Sequence, residues 1–355
     1  MKAFVFNGVG RVGLEDVPLP TLKGEGAIIK VISSAVCATD VKIFKSGHFK
    51  IKEGDRRILG HEIFGEIVEI SKCYEEDFPV GTRVFVAPNL GCGKCEYCLM
   101  GKYNLCADYD AFGITIDGAF AEYMFVPRKA FEQGNVLKLT ATVPEGVVPL
   151  VEPLSTCLYN LSNLGLEPGD RVLVFGAGFM GILNALSARM MGASLVVVVD
   201  PNEQRLEVAM ELGVNLGINP QKQDLNILKK DLTDGKGFDV VIVSVPVPEA
   251  QAQALELVSK LGRVSFFAGL PKGTPFPTLN TNVIHYNQIT LTGTTGADVE
   301  YYRRALNMVV HREDLREKLI RLVSSFVTLE ELPNAFERLA AGKELKVVVL
   351  NQQGG

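Results

Sequence analysis

Four cysteines stand close together in the chain, at Cys92, Cys95, Cys98 and Cys106. Their spacing allows four thiolates to surround one tetrahedral Zn²⁺ ion. Because all four ligands would be sulfur, no coordination position stays open for a reactant, and the spacing predicts a structural zinc site. An iron–sulfur cluster uses the same ligands and is the minor alternative, beside four reduced cysteines that bind no metal.

A second set of potential metal ligands is scattered along the chain: Cys37, His61, Glu62 and Glu152. No local spacing links these residues, and each alone has an ordinary explanation as a packed or surface residue. A mixed set of sulfur, imidazole and carboxylate ligands is nevertheless typical of a zinc ion that keeps one position open for catalysis.

The segment from Arg171 to Asp200 has the pattern of a strand, a glycine-rich turn, a helix and a second strand. Gly176, Gly178 and Gly181 form a Gly-x-Gly-x-x-Gly motif in that turn. The first glycine permits the tight turn, the second lets the backbone approach a pyrophosphate, and the third lets the helix pack on the strand. The helix N-terminus would then present unpaired N–H groups to the phosphates.

Asp200 is the acid that this dinucleotide-binding pattern places about 20 residues beyond the glycines. Its carboxylate would accept hydrogen bonds from the adenosine ribose and repel a 2′-phosphate, which favours NAD over NADP. Phe179, Met180 and Arg205 complete the predicted cofactor-binding set.

The length and the net charge of the chain limit the kinds of partner that the protein is expected to bind. A chain of 355 residues predicts about two domains. A net charge of −5 without a long basic run argues against nucleic-acid or anionic-membrane partners. No apolar run reaches about 18 residues, so no membrane span is expected. We expect a cytoplasmic location, because clustered cysteines serve as metal ligands in a reducing compartment.

The pattern of apolar residues changes near residue 150. Before it, short strand-like runs separated by glycine and proline predict an antiparallel, barrel-like domain with long loops. After it, strands and helices alternate, which predicts a doubly wound parallel sheet and the α/β class. The predicted strands are 171–175, 195–200, near 218, 238–245, 263–267, 289–292 and 345–350, and the predicted helices are 154–164, 179–191, 203–212, 225–232, 249–261, 299–311 and 312–323.

Taken together, these motifs resemble the zinc-dependent medium-chain dehydrogenase/reductases, the alcohol dehydrogenase superfamily. The resemblance covers nearly the whole chain and is strongest to the polyol branch that includes sorbitol dehydrogenases. Glu152 stands where many alcohol dehydrogenases carry a cysteine, which favours that branch. The motifs, in the family's order, are Cys37-x-Thr39-Asp40, Gly60-His61-Glu62, the four-cysteine segment, Val151-Glu152-Pro153-Leu154 and the glycine motif.

The resemblance implies a GroES-like catalytic domain from residues 1–152 and 291–355, and a Rossmann NAD-binding domain from residues 153–290. It implies that Cys37 and His61 hold a catalytic zinc, with Glu62 or Glu152 as the third protein ligand. It further implies that Thr39 passes the substrate proton onward, that Asp40 orients His61, and that the chain forms a homodimer or homotetramer.

Two features depart from the resemblance. Many relatives have a histidine five positions after the zinc cysteine, where this chain has Lys42, so the end of the proton relay is open. The segment from 44 to 57 is unusually basic. It is either a solvated loop or a site at which Lys45, Lys50 or Arg56 meets an anionic substrate group.

The leading hypothesis is an NAD-dependent dehydrogenase that oxidises a secondary alcohol of a polyol, a sugar alcohol phosphate or a sugar derivative. The nearest alternative is a threonine or amino-alcohol dehydrogenase, which shares the same motifs. A non-catalytic NAD-binding redox sensor and a zinc-ribbon nucleic-acid binder are alternatives of other classes. The first is disfavoured because Cys37 and His61 are both present, and the second because the chain is acidic.

Overall fold

The structure, a computed structural model, describes residues 1–271 and 273–351. It divides into two compact units, one of Met1–Ser155 with Gly296–Gly355 and one of Thr156–Thr295. The last four residues of the predicted catalytic domain, 352–355, lie outside the described residues.

The elements follow one another along the chain in three stretches. The first contains β1 (Lys2–Phe6), β2 (Val12–Asp16), β3 (Gly26–Ala35), α1 (Ala38–Ser46), β4 (Arg57–Ile58), β5 (Glu62–Ile70), α2 (Lys72–Glu75), β6 (Arg83–Val86), β7 (Asn89–Leu90), α3 (Glu96–Leu99), β8 (Asp110–Ala111), β9 (Tyr123–Pro127), α4 (Arg128–Glu132), β10 (Val136–Lys138) and α5 (Val151–Asn163). The second contains β11 (Arg171–Phe175), α6 (Phe179–Met190), β12 (Leu195–Val199), α7 (Glu203–Glu211), β13 (Leu216–Ile218), α8 (Leu225–Thr233), β14 (Phe238–Val243), α9 (Pro248–Leu257), β15 (Val258–Phe266), α10 (Thr281–Asn287) and β16 (Thr290–Gly293). The third contains α11 (Val299–His311), α12 (Glu313–Arg321), β17 (Ser325–Val327), α13 (Leu332–Ala340) and β18 (Val347–Leu350).

The first unit is built on a mainly antiparallel sheet in the order β10-β6-β5-β3-β18-β17, with β9 also paired to β3. A smaller sheet, β2-β1-β4, and the pair β7-β8 complete it. Strand β18 pairs with β3, with Val348 opposite Ala35, so a strand from the last part of the sequence lies beside one from the first part. This pairing places the residues before β18 beside the residues after β3.

The second unit is a parallel sheet in the order β13-β12-β11-β14-β15-β16, the strand order of a dinucleotide-binding fold. Its central strands are apolar on both faces because helices cover the sheet on both sides. Residues 196–199 of β12, for example, are all valine and all buried. The glycine-rich turn follows β11 at the carboxyl edge, where the strand order reverses between β11 and β14.

Several predicted boundaries are wrong. Helix α1 was not predicted, and α5 starts at Val151 rather than 154. Helix α9 ends at Leu257 rather than 261, and Gly262 lies inside β15. There the register with β14 shifts and Leu261 has a φ of 60°, so these residues bulge out of the strand. An added Cβ at Gly262 would lie 2.4 Å from the side chain of Val258, which explains the glycine.

Among the described residues, no helix is both long enough and apolar enough to cross a membrane. The cytoplasmic location stays a prediction.

Candidate active site

One side-chain atom each of Cys37, His61 and Glu62 lies within 4.8 Å of the others, close enough to share a metal ion. Cys37 follows β3 and precedes α1, whereas His61 and Glu62 stand at the start of β5. Strands β3 and β5 pair with Ala35 opposite Glu62, and this register brings the two segments together.

Asp40 organises the cluster from the first turn of α1, where it is fully buried. Its carboxylate accepts the backbone N–H of Cys37 at 2.9 Å and that of Gly60 at 3.4 Å, and Oδ1 lies 3.4 Å from Nδ1 of His61. Since Asp40 faces Nδ1, Nε2 is the nitrogen of His61 available to a metal. Burial disfavours the charged imidazole, but Asp40 and Cys37 outweigh burial and hold the pKa of His61 well above its usual value.

Glu62 is fully buried, and its Oε1 accepts a hydrogen bond from Nζ of Lys346 at 2.5 Å. Its Oε2 is buried without a hydrogen-bond partner among the described residues. Burial raises the pKa of Glu62, against the opposing charge of Lys346. An unpartnered carboxylate oxygen beside a thiol and an imidazole is a donor set that fits zinc.

Glu152 lies in the first turn of α5 and is buried, with a side chain whose pKa burial raises to about 7. The charge of His61 lowers its pKa and that of Glu62 raises it. It is not one of the three residues whose donors lie within 4.8 Å of one another in the described part of the chain. Thr39 lies two residues after Cys37 in the first turn of α1 and is half-buried.

Lys346 is a residue that the sequence analysis missed. It is only 2% exposed, and 284 positions separate it from Glu62. The only local signal is a lysine within the otherwise apolar stretch 345–350. The contact between Lys346 and Glu62 depends on the pairing of β18 with β3, which the sequence does not indicate.

The three basic residues considered for anion binding all have partners within the protein. Lys45 donates to the carbonyl of Ala340 at 2.8 Å, and Lys50 donates to that of Tyr109 at 2.7 Å. Arg56 pairs with Glu15 and donates to Asn7. The segment is also partly helical, since α1 extends to Ser46. These contacts do not support the hypothesis that the segment is an anion site.

The four clustered cysteines also converge, with their Sγ atoms within 4.8 Å of one another. Cys92 donates its N–H to Sγ of Cys106 at 3.3 Å, and its own Sγ lies 3.9 Å from that of Cys98. Backbone N–H groups lower the pKa of Cys92 to about 6, and burial raises that of Cys98 to about 12. Four convergent thiols with unequal proton affinities fit a zinc ion, which binds thiolates and releases their protons.

The cysteine segment contains two short helices. Helix α3 and a short 3₁₀ helix, Tyr103–Leu105, lie within it. An added Cβ at Gly91 would lie 2.5 Å from Sγ of Cys98, so the chain passes tightly against the cluster. Lys102 donates to Asp298 at 2.6 Å and ties the segment to the N-terminus of α11.

The glycine-rich turn has the geometry expected of a dinucleotide-binding loop. Gly176 has a φ of 102°, and an added Cβ there would lie 2.5 Å from Val245. A Cβ at Gly181 would lie 1.9 Å from the carbonyl oxygen of Gly176, so the helix and the turn approach each other too closely for a side chain. A Cβ at Gly178 would meet nothing within 4 Å, which leaves open space beside the helix N-terminus. This arrangement fits a pyrophosphate.

Asp200 is buried at the end of β12 and contacts the loop directly. Its Oδ2 accepts the N–H of Ala177 at 2.7 Å, and its Oδ1 accepts the N–H of Asn202 at 2.8 Å. The acid therefore braces the glycine-rich turn, and its role toward a ribose stays a prediction. Arg205 lies on α7 and is half-buried.

Two family models match the chain. Residues 23–135 match the alcohol dehydrogenase GroES-like domain, and residues 180–311 match the zinc-binding dehydrogenase domain.

Known proteins are similar over nearly the whole chain. An L-threonine 3-dehydrogenase of Pyrococcus abyssi is 34% identical over 94% of this chain and 93% of its own. A sorbitol dehydrogenase of Bacillus subtilis is 30% identical over 98% and 97%. The crystal structure of a zinc-binding dehydrogenase of Sinorhizobium meliloti, bound to NADP, is 28% identical, covers 98% of each chain and has a TM-score of 0.87.

These matches confirm the predicted fold class, a GroES-like domain with a Rossmann domain. They also confirm an enzyme that uses zinc and a nicotinamide dinucleotide. With the metal-ligand clusters and the glycine-rich loop in place, the chain belongs to the zinc-type medium-chain alcohol dehydrogenases.

Proposed function

We propose that this protein is an NAD-dependent dehydrogenase that oxidises a secondary alcohol carrying a neighbouring polar group, with a polyol or sugar derivative as the leading substrate class. The observation that carries the proposal is the convergence of Cys37, His61 and Glu62, with the second oxygen of Glu62 unpartnered. A Cys/His/carboxylate set suits a zinc ion that keeps a position for substrate.

We assign the catalytic zinc to Cys37, His61 and Glu62, with Glu152 as the alternative carboxylate, and the structural zinc to Cys92, Cys95, Cys98 and Cys106. A bound catalytic zinc supplies a Lewis acid that makes an alcohol more acidic, and a bound nicotinamide supplies the hydride acceptor.

The chain's own residues position the reactants and move the proton. Asp40 lies 3.4 Å from Nδ1 of His61, which favours one orientation of the imidazole. Thr39 accepts the proton of the substrate hydroxyl and passes its own proton toward solvent. Glu152, with a pKa of about 7, is able to hold a proton near neutral pH. Gly176, Gly178 and Gly181 admit the cofactor pyrophosphate.

A neutral substrate is favoured over a phosphorylated one. Lys45, Lys50 and Arg56 are each held by a partner within the protein, so none of them is preorganised for an anion. Polyols and sugar derivatives offer hydroxyl groups that half-buried polar side chains are able to bind without a counter-charge.

Threonine is the second candidate, because L-threonine 3-dehydrogenases are among the most similar relatives, at 34% identity. Threonine also carries a secondary alcohol beside a polar group. Lys42, which replaces the relay histidine of many relatives, counts against it.

The test is a substrate panel with purified, zinc-loaded enzyme and either NAD or NADP. Reduction of NAD with a neutral polyol supports the proposal, and the same alcohol in phosphorylated form should be a poorer substrate. If threonine is oxidised and the polyols are not, threonine replaces the polyols as the proposed substrate. A protein that binds zinc and NAD but oxidises no alcohol would favour a redox sensor and overturn the proposal.

We also propose that the protein forms a homodimer or homotetramer through β16, which ends the parallel sheet and is largely exposed. An unpaired edge strand is able to pair with a second copy of itself. Light scattering at several concentrations measures the assembly. A Thr290→Pro variant, which places a proline within β16 and disturbs this strand, should favour the monomer, and an unchanged mass would count against this edge.

A further inference from the structure

A chain of buried side-chain amides links helix α5 to the start of α6. Asn160, fully buried on α5, donates from Nδ2 to Oδ1 of Asn184 at 3.0 Å. Asn184, also fully buried, donates from its own Nδ2 to the carbonyl of Met180 at 2.9 Å. On its other side, Oδ1 of Asn160 accepts from Ser265 at 2.6 Å and from Thr294 at 3.0 Å.

The carbonyl of Met180, at one end of this network, fixes the donor and acceptor of every hydrogen bond in it. The carbonyl of Met180 can only accept, so the amide nitrogen of Asn184 must face it. The oxygen of Asn184 then faces the nitrogen of Asn160, and the oxygen of Asn160 is left to accept the two hydroxyls. Since each buried amide is satisfied in only one orientation, the network holds a single geometry.

The network ends where the cofactor would bind. Met180 is the second residue of α6, and the first hydrogen bond of that helix runs from Ile182 to Gly178. The N–H groups of Met180 and Gly181 therefore have no acceptor inside the helix. These are the groups that a pyrophosphate would use, and their direction depends on the peptide planes of the first turn.

We propose that Asn160 is a positioning residue for the nicotinamide dinucleotide, acting through Asn184 on the first turn of α6. The inference rests on the proposed function, because it assumes that this turn binds the cofactor. Without the network, the turn loses a restraint on the Met180 carbonyl, and the adjoining N–H groups lose part of their preorganisation.

The test compares network variants with a matched buried variant elsewhere in the same unit. Asn160→Leu and Asn184→Leu each interrupt the hydrogen-bond network, at two different positions. Thr233→Val is the control, because Thr233 is a buried hydroxyl on α8 with two hydrogen bonds, at the end of the helix that precedes β14. For each, Kd and KM for NAD, kcat and the melting temperature are measured on folded, zinc-loaded enzyme.

Both network variants should raise Kd and KM for NAD about tenfold while kcat stays within about twofold, because misplaced binding groups weaken affinity. Thr233→Val should lower the melting temperature but keep wild-type Kd. Network variants with wild-type Kd, or a control that weakens NAD binding equally, would overturn the positioning role. A wild-type enzyme without affinity for NAD would overturn the proposed function as well, so the two failures are distinguishable.

Discussion

The carboxylate of Asp40 lies 3.4 Å from Nδ1 of His61 and, through its two oxygens, also accepts the backbone N–H groups of Cys37 and Gly60. One buried acid thus fixes the side chain of one metal-ligand candidate and the backbone of another. The carboxylate thus contacts both the N-terminus of α1, at Cys37, and the residues just before β5, at Gly60 and His61.

Replacing Asp40 by asparagine should weaken zinc binding at the catalytic site. The amide keeps an acceptor for one backbone N–H but loses the charge that orients and polarises His61, and such a loss costs about 10- to 100-fold in metal affinity. Competition with a chromophoric chelator measures the affinity. Asp55→Asn, at an exposed position in the loop before β4, is the matched control. Equal zinc affinity in both variants would contradict the role of Asp40.

The sequence predicted those parts of the site whose residues lie close together along the chain. The cysteine cluster and the segment from Gly176 to Asp200 are encoded by local spacing, and the structure brings the residues of each together as expected. Cys37, His61 and Glu62 were candidates by residue type, but only the family resemblance grouped them in one site, because no local spacing connects them. Lys346 was not predictable, since its contact with Glu62 depends on the pairing of the last strand with β3.

Cys106→Ser should remove the structural zinc and leave the catalytic one. Cys106 is buried and accepts the N–H of Cys92, so its loss opens the four-thiol cluster at its most distant sequence position. We expect the zinc content to fall from about two to about one per chain, with a lower melting temperature. Cys73→Ser, at an exposed cysteine outside both clusters, should keep wild-type zinc content. A Cys106→Ser protein that also keeps it would refute the assignment.

Asp200→Ala should lower kcat/KM for NAD by at least about tenfold and shift the preference toward NADP. The variant loses the predicted ribose acceptor, and it also leaves the N–H of Ala177 without its partner, so the glycine-rich turn loosens. Binding of both cofactors should therefore weaken, with NAD affected more. Ratios of kcat/KM for the two cofactors provide the measurement. An unchanged ratio would mean that another residue reads the ribose.

Lys346→Met should destabilise the protein by about 3–5 kcal/mol, because it leaves the buried carboxylate of Glu62 without its counter-charge. The double variant Glu62→Gln/Lys346→Met removes both charges and should recover much of that loss. Lys343→Met, at an exposed position three residues earlier, is the control and should have wild-type stability. Urea unfolding of the zinc-free proteins gives the comparison, so that zinc binding by Glu62 does not contribute. A Lys346→Met protein as stable as the Lys343→Met protein would show that the ion pair contributes little.

Burial of Glu152 should make the stability of the zinc-free protein depend on pH. Burial raises the pKa of Glu152 from 4.5 to about 7, so the folded state binds its proton more tightly than the unfolded state does. The stabilisation is therefore fully present below pH 4.5 and is lost as the pH rises through about 7. Between these limits the free energy of unfolding should fall by about 3 kcal/mol more in wild type than in Glu152→Gln.

Urea unfolding of chelator-treated protein at several pH values between 4.5 and 8 measures this difference. The Glu337→Gln variant, at an exposed glutamate on α13, should follow the wild-type pH dependence, because that side chain is already in water in the folded state. The free energy of unfolding of zinc-free Glu152→Gln should instead stay nearly constant across this pH range. If wild type and Glu152→Gln lose stability in parallel as the pH rises, then the proton taken up on folding is held elsewhere in the cluster and Glu152 is ionised at neutral pH.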